Sequence, residues 1–385
     1  MDLLIRKVEE AISQFELKNE NLGFRILTDA ALDTAHLPVF QKLIDMTEWK
    51  EKKQNDNERY IQKAKDLAQD IKKITIPKIQ SNKVLIQAEK IKKEFKNSKF
   101  KLGPINLEIK EGQLIGLVGE NGNGKTTLLR MLANDLSISE GKIHFLFTKP
   151  RQDRYDLRTK LTYIPQRTPK WYGSVKDNLK LTATCYGIKP EENETIVLMW
   201  MIRFGLWNFR NHKWNELSSG YKMRFELART FLRNPKVLFL DEPLANLDIL
   251  SQQLIIEDLK LLGKSLSNPL GIILSSQQLY EVEKVSDEII FLKNGLPSSF
   301  NNLKNEKNNQ QQQLVVEIEI ENDRNELLNA LEGIKYKELK FLGNNYYIEI
   351  EGIRAEDFLK QLLNKHIQIK YFRDISVSTR RFFNQ

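Results

Sequence analysis

Cysteine, histidine and long apolar runs are all scarce in this chain of 385 residues. The single cysteine, Cys185, has no partner for an intrachain disulfide. No apolar stretch approaches the roughly 20 residues that a membrane-spanning helix needs, and charge follows Met1 too closely for a secretory signal peptide. We therefore expect a cytoplasmic protein whose link to any membrane passes through a partner.

Acidic residues are outnumbered by basic ones. The 60 Lys and Arg residues against 51 Asp and Glu residues give a formal net charge of +9. This excess suits an anionic partner such as a nucleotide, a nucleic acid or an acidic membrane face, and solvated Lys-rich helix faces explain it equally well. The chain length predicts two or three domains.

The first segment, residues 1–80, carries apolar residues at helical spacing. Three stretches show it: Leu4 to Phe15, Phe24 to Ile44 and Arg59 to Ile74. No cluster of residue types that suits catalysis occurs there. A helical accessory domain used for docking is the simplest interpretation.

The rest of the chain divides into three further segments. Short apolar runs that end in glycine or acidic residues are typical of strands covered on both faces, and they predict an α/β domain over residues 82–300. Residues 301–313 are nearly all Asn, Gln, Lys and Glu, which is typical of a polar linker. Residues 314–385 show the order βαββαβ, which predicts a ferredoxin-like α+β domain.

A glycine-rich loop, Gly119 to Thr126, fits the pattern G-x-x-x-x-G-K-[ST] between an apolar run and a helix. Backbone N–H groups of such a loop turn inward around phosphates, and the helix start adds its dipole. Lys125 is expected to reach the β- and γ-phosphates of ATP, and the Thr126 hydroxyl to bind Mg²⁺. The remaining predicted phosphate contacts are Gly119, Asn121, Gly122, Gly124 and Thr127.

A second motif, Val237 to Pro243, consists of four apolar residues followed by two carboxylates. A buried strand can end in this way only if something offsets the charge, and a metal ion does so. Asp241 is therefore predicted to orient Mg²⁺, and Glu242 to act as the general base towards the attacking water. Together the two motifs predict a nucleoside triphosphatase.

The residues between the two motifs narrow the class. Leu217-Ser218-Ser219-Gly220-Tyr221 resembles the LSGGQ signature of ATP-binding cassette (ABC) proteins and differs from it at the third and fifth positions. The resemblance covers residues 84 to 296 and implies an ABC-type P-loop α/β fold. It also implies that Ser218 and Gly220 bind the γ-phosphate of ATP held by a second ABC subunit, so that the chain works as a dimer, most simply a homodimer.

Further landmarks of the resemblance follow in order. Gln166, in Tyr163-Ile164-Pro165-Gln166, corresponds to the Q-loop glutamine, which implies contacts with Mg²⁺ and the attacking water, and the segment after it would face a membrane partner. Leu244 to Asp248 resembles the D-loop. Phe95 stands where the family stacks an aromatic ring on adenine, with Phe100 as the second choice.

One landmark departs from the family. Gln277 stands where the family usually has a histidine that contacts the γ-phosphate. Glutamine can donate a neutral hydrogen bond but cannot carry a proton. We expect ATP hydrolysis to persist because Glu242 is present, and to be slow because Gln277 replaces the histidine. The four histidines lie elsewhere, at His36, His144, His212 and His366.

The single cassette followed by a linker and a small α/β domain resembles the ATPase subunits of ABC-2-type exporters, and the end, Tyr371 to Phe383, resembles their closing helix. The leading hypothesis is thus an ATPase subunit at the inner face of the cell membrane that drives a separate permease. The alternatives are a soluble ABC protein acting on ribosomes or nucleic acid, motivated by the net charge, and a regulatory nucleotide binder. Lys residues here alternate with acids, so no direct nucleic-acid contact is expected.

Overall fold

The computed structural model describes residues 3–53, 56–76, 83–96, 100–148, 154–277, 279–299 and 313–376. The chain forms two compact units. The first contains residues 1–277, 285–287 and 292–297, and the second contains residues 278–284, 288–291 and 298–385. The boundaries predicted near residues 80, 300 and 313 adjoin segments outside the described residues, so the division into domains stays a prediction.

Helices and strands alternate over the central part of the chain, whereas helices alone occupy its start. The helices are α1 (Leu3–Glu16), α2 (Glu20–Thr34), α3 (Leu37–Lys52), α4 (Asn57–Lys72), α5 (Lys125–Leu132), α6 (Arg154–Lys160), α7 (Val175–Cys185), α8 (Pro190–Arg203), α9 (Ser219–Phe231), α10 (Ile249–Gly263), α11 (Leu279–Val285), α12 (Arg324–Ala330) and α13 (Ala355–Asn364). The strands are β1 (Val84–Glu94), β2 (Lys101–Lys110), β3 (Leu114–Val118), β4 (Glu140–Phe145), β5 (Leu161–Ile164), β6 (Val237–Leu240), β7 (Gly271–Ser276), β8 (Glu288–Lys293), β9 (Leu296–Ser299), β10 (Gln313–Ile320), β11 (Tyr336–Leu342), β12 (Asn345–Glu351) and β13 (Ile369–Asp374). None of the helices in the described part of the chain has the length and apolarity to cross a membrane.

The N-terminal segment folds into four helices. The apolar stretch from Phe24 to Ile44 is divided between α2 and α3 at Ala35, which adopts a left-handed φ of 48°. Pro38 lies in the first turn of α3, where its fixed φ and missing N–H suit a helix start. The change of direction lets α2 and α3 each bury an apolar face in a shared core.

This core is not confined to the N-terminal helices. Met199 and Ile202 of α8 and the ring of Trp207 belong to the same buried cluster as Leu27, Phe40 and other side chains of α1 to α4. The N-terminal helices therefore pack directly on α8 and on the segment that follows it.

A buried ion network fixes this packing. The Arg203 guanidinium donates hydrogen bonds to Asp29 of α2 and to Asp258 of α10, and all three side chains are at most 5% exposed. Arg25 of α2 also donates to Asp258 at 2.8 Å. Burial alone lowers the pKa of Arg203, but the two carboxylates more than offset this and raise it. Because a buried charge without a partner is strongly destabilising, Arg203 makes the position of α2 depend on both α8 and α10.

Strands β1 to β9 form two sheets. Strands β2, β1 and β4 form an antiparallel sheet in that order, and a six-stranded sheet has the order β5-β6-β7-β3-β8-β9. In the latter, β5, β6, β7 and β3 pair in parallel. Parallel neighbours end at the same edge of a sheet, so the segments that follow β3, β6 and β7 lie side by side, as ligand sites in such sheets require.

The second unit contains a four-stranded antiparallel sheet in the order β11-β12-β10-β13. Leu327 of α12 and Phe358 of α13 are fully buried with Val316, Ile318 and Ile348 of the sheet. This βαββαβ arrangement is the predicted ferredoxin-like fold. The N-terminal helices, the parallel sheet of the central part and this βαββαβ unit agree with the predicted α/β fold class.

Candidate active site

The glycine-rich loop between β3 and α5 is held tightly in place. A Cβ on Gly119 would lie 2.4 Å from the carbonyl oxygen of Leu292, and Gly124 adopts a left-handed φ of 96°. Glycine meets both demands at low free-energy cost. The Asn123 carboxamide oxygen accepts a 2.8 Å hydrogen bond from the Asn294 backbone N–H, which ties the loop to the turn after β8. The close approach of Gly119 to Leu292 and the hydrogen bond between Asn123 and Asn294 thus hold the loop in this conformation.

Lys125 is the first residue of α5 and is 6% exposed, and its side chain turns back into the loop. Its ammonium group donates to the carbonyl oxygens of Gly119 at 2.6 Å and Glu120 at 3.2 Å. It also lies 3.2 Å from a carboxylate oxygen of Glu242. The two sequence motifs, more than a hundred residues apart, therefore meet at this ammonium group.

The buried Asp241 carboxylate accepts hydrogen bonds from three side chains of the site. One carboxylate oxygen accepts hydrogen bonds from the hydroxyls of Thr126 at 2.7 Å and Tyr163 at 3.0 Å, and the other accepts one from Ser275 at 2.8 Å. Burial, together with the negative charge of Asp241, raises the pKa of the Tyr163 phenol. Tyr163 therefore stays a hydrogen-bond donor that holds the Asp241 carboxylate in place.

The donor set at this point fits a magnesium ion. Mg²⁺ prefers oxygen ligands and commonly takes one or two protein oxygens together with substrate phosphates. The Thr126 hydroxyl and the Asp241 carboxylate supply such oxygens side by side at the end of the glycine-rich loop. Gln166, the third predicted contact, follows β5 with an exposed side chain.

Glu242 is held from three sides. Its backbone adopts a left-handed φ of 49°, which is uncommon outside glycine and typical of positions constrained by their surroundings. Its backbone N–H donates to the Ser275 hydroxyl at 2.9 Å, and its second carboxylate oxygen accepts from the Gln277 backbone N–H at 3.2 Å. The Gln277 side chain itself is exposed. Glu242 can thus present a carboxylate at the mouth of the loop.

The two candidate adenine-stacking rings have different surroundings. Phe95 is 39% exposed and lies under the Lys93 ammonium group at 5.5 Å. Phe100 lines a cavity of about 600 Å³, and the same cavity is bordered by Asn121 and Gly122 of the loop. Phe95 does not line it. The geometry favours Phe100 over Phe95 as the aromatic residue next to the loop.

The signature sequence caps the start of α9. Ser218 is the N-cap residue, and its hydroxyl accepts a hydrogen bond from the Tyr221 backbone N–H at 3.4 Å. Gly220 is buried, and a Cβ there would lie 2.9 Å from the Ser251 hydroxyl. A helix start, whose first N–H groups lack intrahelical partners, is suited to an anion.

The segment that resembles the D-loop contacts the signature in the same chain. The Ser219 hydroxyl donates to the Asn246 carbonyl oxygen at 3.1 Å, and Asp248 caps α10 by accepting from the Ser251 backbone N–H. Among the hydrogen bonds and ion pairs of the described residues, none joins Ser218 or Gly220 to the glycine-rich loop. The two candidate phosphate-binding elements are therefore not joined to each other by these bonds.

Sequence reasoning identified Lys125, Thr126, Asp241 and Glu242, which the structure brings together, but it missed two residues that hold them. Ser275 contacts both Asp241 and Glu242, and Tyr163 contacts Asp241. Both lie at the ends of strands adjacent to β6 in the sheet. Their hydroxyl groups at these strand ends were the available signal. Thr127 lies half-buried in the first turn of α5.

The comparison with protein families agrees with this geometry. The family model described as ABC transporter matches residues 102–245, which include both motifs and the signature. Among solved structures, cbiO1 from Clostridium perfringens, described as part of the ABC transporter complex cbiONQ, aligns over 56% of this chain and 87% of its own with 27% identity and a TM-score of 0.51.

Curated relatives carry the same description. YhaQ of Bacillus subtilis, an uncharacterized ABC transporter ATP-binding protein, is 33% identical over 50% of this chain, and the match spans 63% of YhaQ. MJ1023 of Methanocaldococcus jannaschii, of the same description, is 32% identical, with 54% of this chain and 74% of MJ1023 covered. The lantibiotic transport ATP-binding protein SrtF of Streptococcus pyogenes is 32% identical, with 55% and 88% covered. This chain therefore belongs to the family of ABC transporter ATP-binding proteins.

Proposed function

We propose that this chain binds and hydrolyses ATP as the motor subunit of an ABC transporter, working as a dimer that drives a separate membrane permease. The observation that carries the proposal is the meeting of Lys125, Thr126, Asp241 and Glu242 at one end of the parallel sheet. The family membership supports the same activity.

Hydrolysis follows from the roles of these groups. The loop N–H groups and the Lys125 ammonium would bind the β- and γ-phosphates, and Thr126 and Asp241 would hold Mg²⁺, with Gln166 as a further contact. When bound, Mg²⁺ would supply positive charge that offsets the charge developing on the phosphate oxygens. Glu242 accepts a proton from the attacking water while the oxygen of that water forms a bond to the γ-phosphorus. The bond from that phosphorus to the bridging oxygen breaks, and ADP and phosphate leave.

The second phosphate-binding element calls for a second copy of the chain. Within the described residues, Ser218 and Gly220 form no bond to the loop of their own chain. They are therefore available to the γ-phosphate of ATP bound to a partner. Next to the N-cap of α10, the side chains of Ile249 and Leu250 are each 71% exposed. Such an apolar pair beside Asp248 suits burial between two chains.

The permease contact is proposed for the segment that follows Gln166. Tyr172 in this segment is 90% exposed, and tyrosine is enriched at protein interfaces. This would place the chain at the cytoplasmic face of the membrane. The proposal of export rests on the resemblance to ABC-2-type subunits. Of the predicted closing helix, Tyr371 to Phe383, the first four residues belong to strand β13 instead, and residues 377–383 lie outside the described residues. PotA of Spiroplasma citri, a spermidine/putrescine import protein, is 32% identical, so relatives include an importer as well.

The alternative is a soluble protein that acts on ribosomes or nucleic acid. YhaQ, MJ1023, SrtF and cbiO1 are all described as transporter proteins, so none of them supports it. Salt-resistant co-sedimentation of the chain with membranes that contain a polytopic partner would support transport. Salt-sensitive recovery with ribosomes or DNA would favour the alternative.

The activity is tested by Glu242→Gln. The amide cannot accept the proton from water, and general base catalysis is worth about 10²- to 10⁴-fold. We expect the rate of phosphate release to fall by that factor, while a fluorescent ATP analogue still binds. Glu140→Gln is the control, because Glu140 is exposed and pairs with Lys92 on the antiparallel sheet. Equal loss of activity in both variants, or full activity of Glu242→Gln, would refute the assigned role.

A further inference from the structure

The Trp171 side chain is hydrogen-bonded to the signature helix. Its indole Nε1–H donates to a carboxylate oxygen of Glu226 on α9 at 2.7 Å. Glu226 is 1% exposed, and a buried carboxyl group is stable only when other groups satisfy its oxygens. The indole N–H supplies one of the hydrogen bonds that do so.

Arg229 completes the cluster. Its guanidinium donates to the second carboxylate oxygen of Glu226 through Nε at 3.0 Å and Nη2 at 2.8 Å. It also lies over the Trp171 ring, 4.5 Å from the ring centre, where a cation is attracted by the π system. Each of the three side chains thus contacts the other two, and the Phe225 ring packs edge-on against Trp171.

The cluster joins the segment between β5 and α7 to the signature helix α9. Trp171 lies between β5 and α7, five residues after Gln166 and next to the exposed Tyr172. Glu226 lies on α9 eight residues after its N-cap, Ser218. Because an α-helix rises about 1.5 Å per residue and is stiff over two turns, a shift at Glu226 is carried to Ser218, about 12 Å away.

We propose that Trp171, Glu226 and Arg229 act as a positioning cluster that sets the signature helix relative to the segment after Gln166. This inference rests on the proposed function, in which Ser218 and Gly220 bind ATP held by a second copy of the chain. The cluster holds the start of α9 in the position in which Ser218 and Gly220 can contact that ATP. It also makes the signature respond to a displacement of the surface around Tyr172.

The chain contains a second cluster of the same chemistry, which serves as a matched control. The Trp207 indole donates to Glu51 at 3.0 Å, Arg210 donates to the same carboxylate at 3.1 Å, and the Arg210 guanidinium lies 4.7 Å from the Trp207 ring centre. This cluster joins α3 to the segment after α8 and includes no residue of α9.

The test compares Trp171→Phe with Trp207→Phe, each in a Glu242→Gln background. Phenylalanine keeps a ring but removes the N–H donor. Two quantities are measured: the affinity of the monomer for a fluorescent ATP analogue, and the protein concentration at which ATP and Mg²⁺ produce dimers in analytical ultracentrifugation. We expect Trp171→Phe to weaken dimerisation about tenfold, as loss of a hydrogen bond to a charged group predicts, with nucleotide affinity unchanged. Trp207→Phe should change neither quantity.

Glu226→Gln gives a second readout. The amide oxygen can still accept from Trp171, but the ion pair with Arg229 is lost, and dimerisation should weaken in the same direction. Dimerisation equal to that of the Glu242→Gln parent in both Trp171→Phe and Glu226→Gln would overturn the inference while leaving the proposed function intact. A parent that binds ATP but forms no dimer would instead overturn the dimeric function and the inference with it.

Discussion

Two adjacent carboxylates, Asp241 and Glu242, have different surroundings that give them different tasks. Asp241 is buried and accepts hydrogen bonds from three hydroxyl groups, which suits a fixed metal ligand. Glu242 accepts a hydrogen bond from one backbone N–H and forms an ion pair with the Lys125 ammonium group near the mouth of the loop, which suits a group that faces the nucleotide and water. Ser275 contacts both residues and fixes their separation.

Gln277→His should raise the turnover number about fivefold. A protonated imidazole at this position makes a charged hydrogen bond to the γ-phosphate, and charged hydrogen bonds exceed neutral ones by about 1 kcal/mol. The backbone N–H that holds Glu242 is kept, because only the side chain changes. Steady-state phosphate release measures the effect.

Gln277→Ala is the matched control and should lower the turnover number, since it removes the neutral donor. An unchanged turnover number in Gln277→His, alongside unchanged ATP binding, would contradict a role for this side chain in hydrolysis.

At this scale the sequence predicted the motif residues but not their supports. Lys125, Thr126, Asp241 and Glu242 belong to short motifs in which spacing along the chain dictates position. Ser275 and Tyr163 reach Asp241 only because β5 and β7 flank β6 in the sheet, which no local pattern encodes. The preference for Phe95 over Phe100 rested on spacing alone, whereas Phe100 is the ring that lines the cavity beside the loop.

Among the elements, the glycine-rich loop depends on both backbone conformation and packing. At Gly124 an added Cβ would lie 2.8 Å from Leu102 and 2.9 Å from the Phe100 ring, and φ is 96°. An L-residue in this left-handed region costs about 1–2 kcal/mol. Gly124 thus couples the shape of the loop to β2 and the aromatic ring.

Gly124→Ala should weaken ATP binding by about tenfold or more, because the strain and the collision both move the loop. Gly187→Ala is the control: Gly187 also has a positive φ, 82°, but nothing lies within 4 Å of its added Cβ. Both variants should lose stability in thermal unfolding, and only Gly124→Ala should lose affinity in a nucleotide titration. Equal affinity in the two variants would contradict this account of the loop.

The sequence predicted most elements but misjudged one connection. The apolar stretch from Phe24 to Ile44 looked continuous because apolar residues recur at helical spacing on both sides of the break. Leu37-Pro38 was the local signal that a new helix begins there. The C-terminal βαββαβ order was predictable, because its strands and helices are short, amphipathic and separated by turn residues.

In the whole molecule, the N-terminal helices and the cassette share one core. Arg203 and Asp29 lie 174 residues apart in sequence and meet in a buried ion pair. A docking role for the helices was predicted from composition, but a contact between distant charges has no signature in either segment. The partners therefore appear only in the three-dimensional structure.

Glu51 of α3, which accepts hydrogen bonds from Trp207 and Arg210, makes the packing of the N-terminal helices dependent on pH. The hydrogen bond from Trp207, and then that from Arg210, lowers the pKa of Glu51 from its ordinary 4.5. A carboxyl group whose pKa is lower in the folded state stabilises the fold above its unfolded pKa. This contribution is lost as the pH falls through the folded-state pKa. Glu51→Gln should therefore be less stable than the parent at pH 7, with a difference that shrinks below about pH 4.5.

Urea midpoints measured between pH 7 and pH 3 test this prediction. Glu48→Gln, at an exposed position on the same helix, is the control and should match the parent throughout. A difference between Glu51→Gln and the parent that stays constant as the pH falls would contradict the ionic origin of the contact.

The central claim is that two chains close over ATP, each supplying a glycine-rich loop to one nucleotide and a signature helix to the other. The most direct measurement is the mass of the Glu242→Gln chain by multi-angle light scattering with ATP and Mg²⁺ at saturating concentration. The account predicts about 90 kDa, twice the 45.1 kDa of one chain, and a return to the monomer mass with ADP. A mass of one chain with ATP demonstrably bound would contradict it.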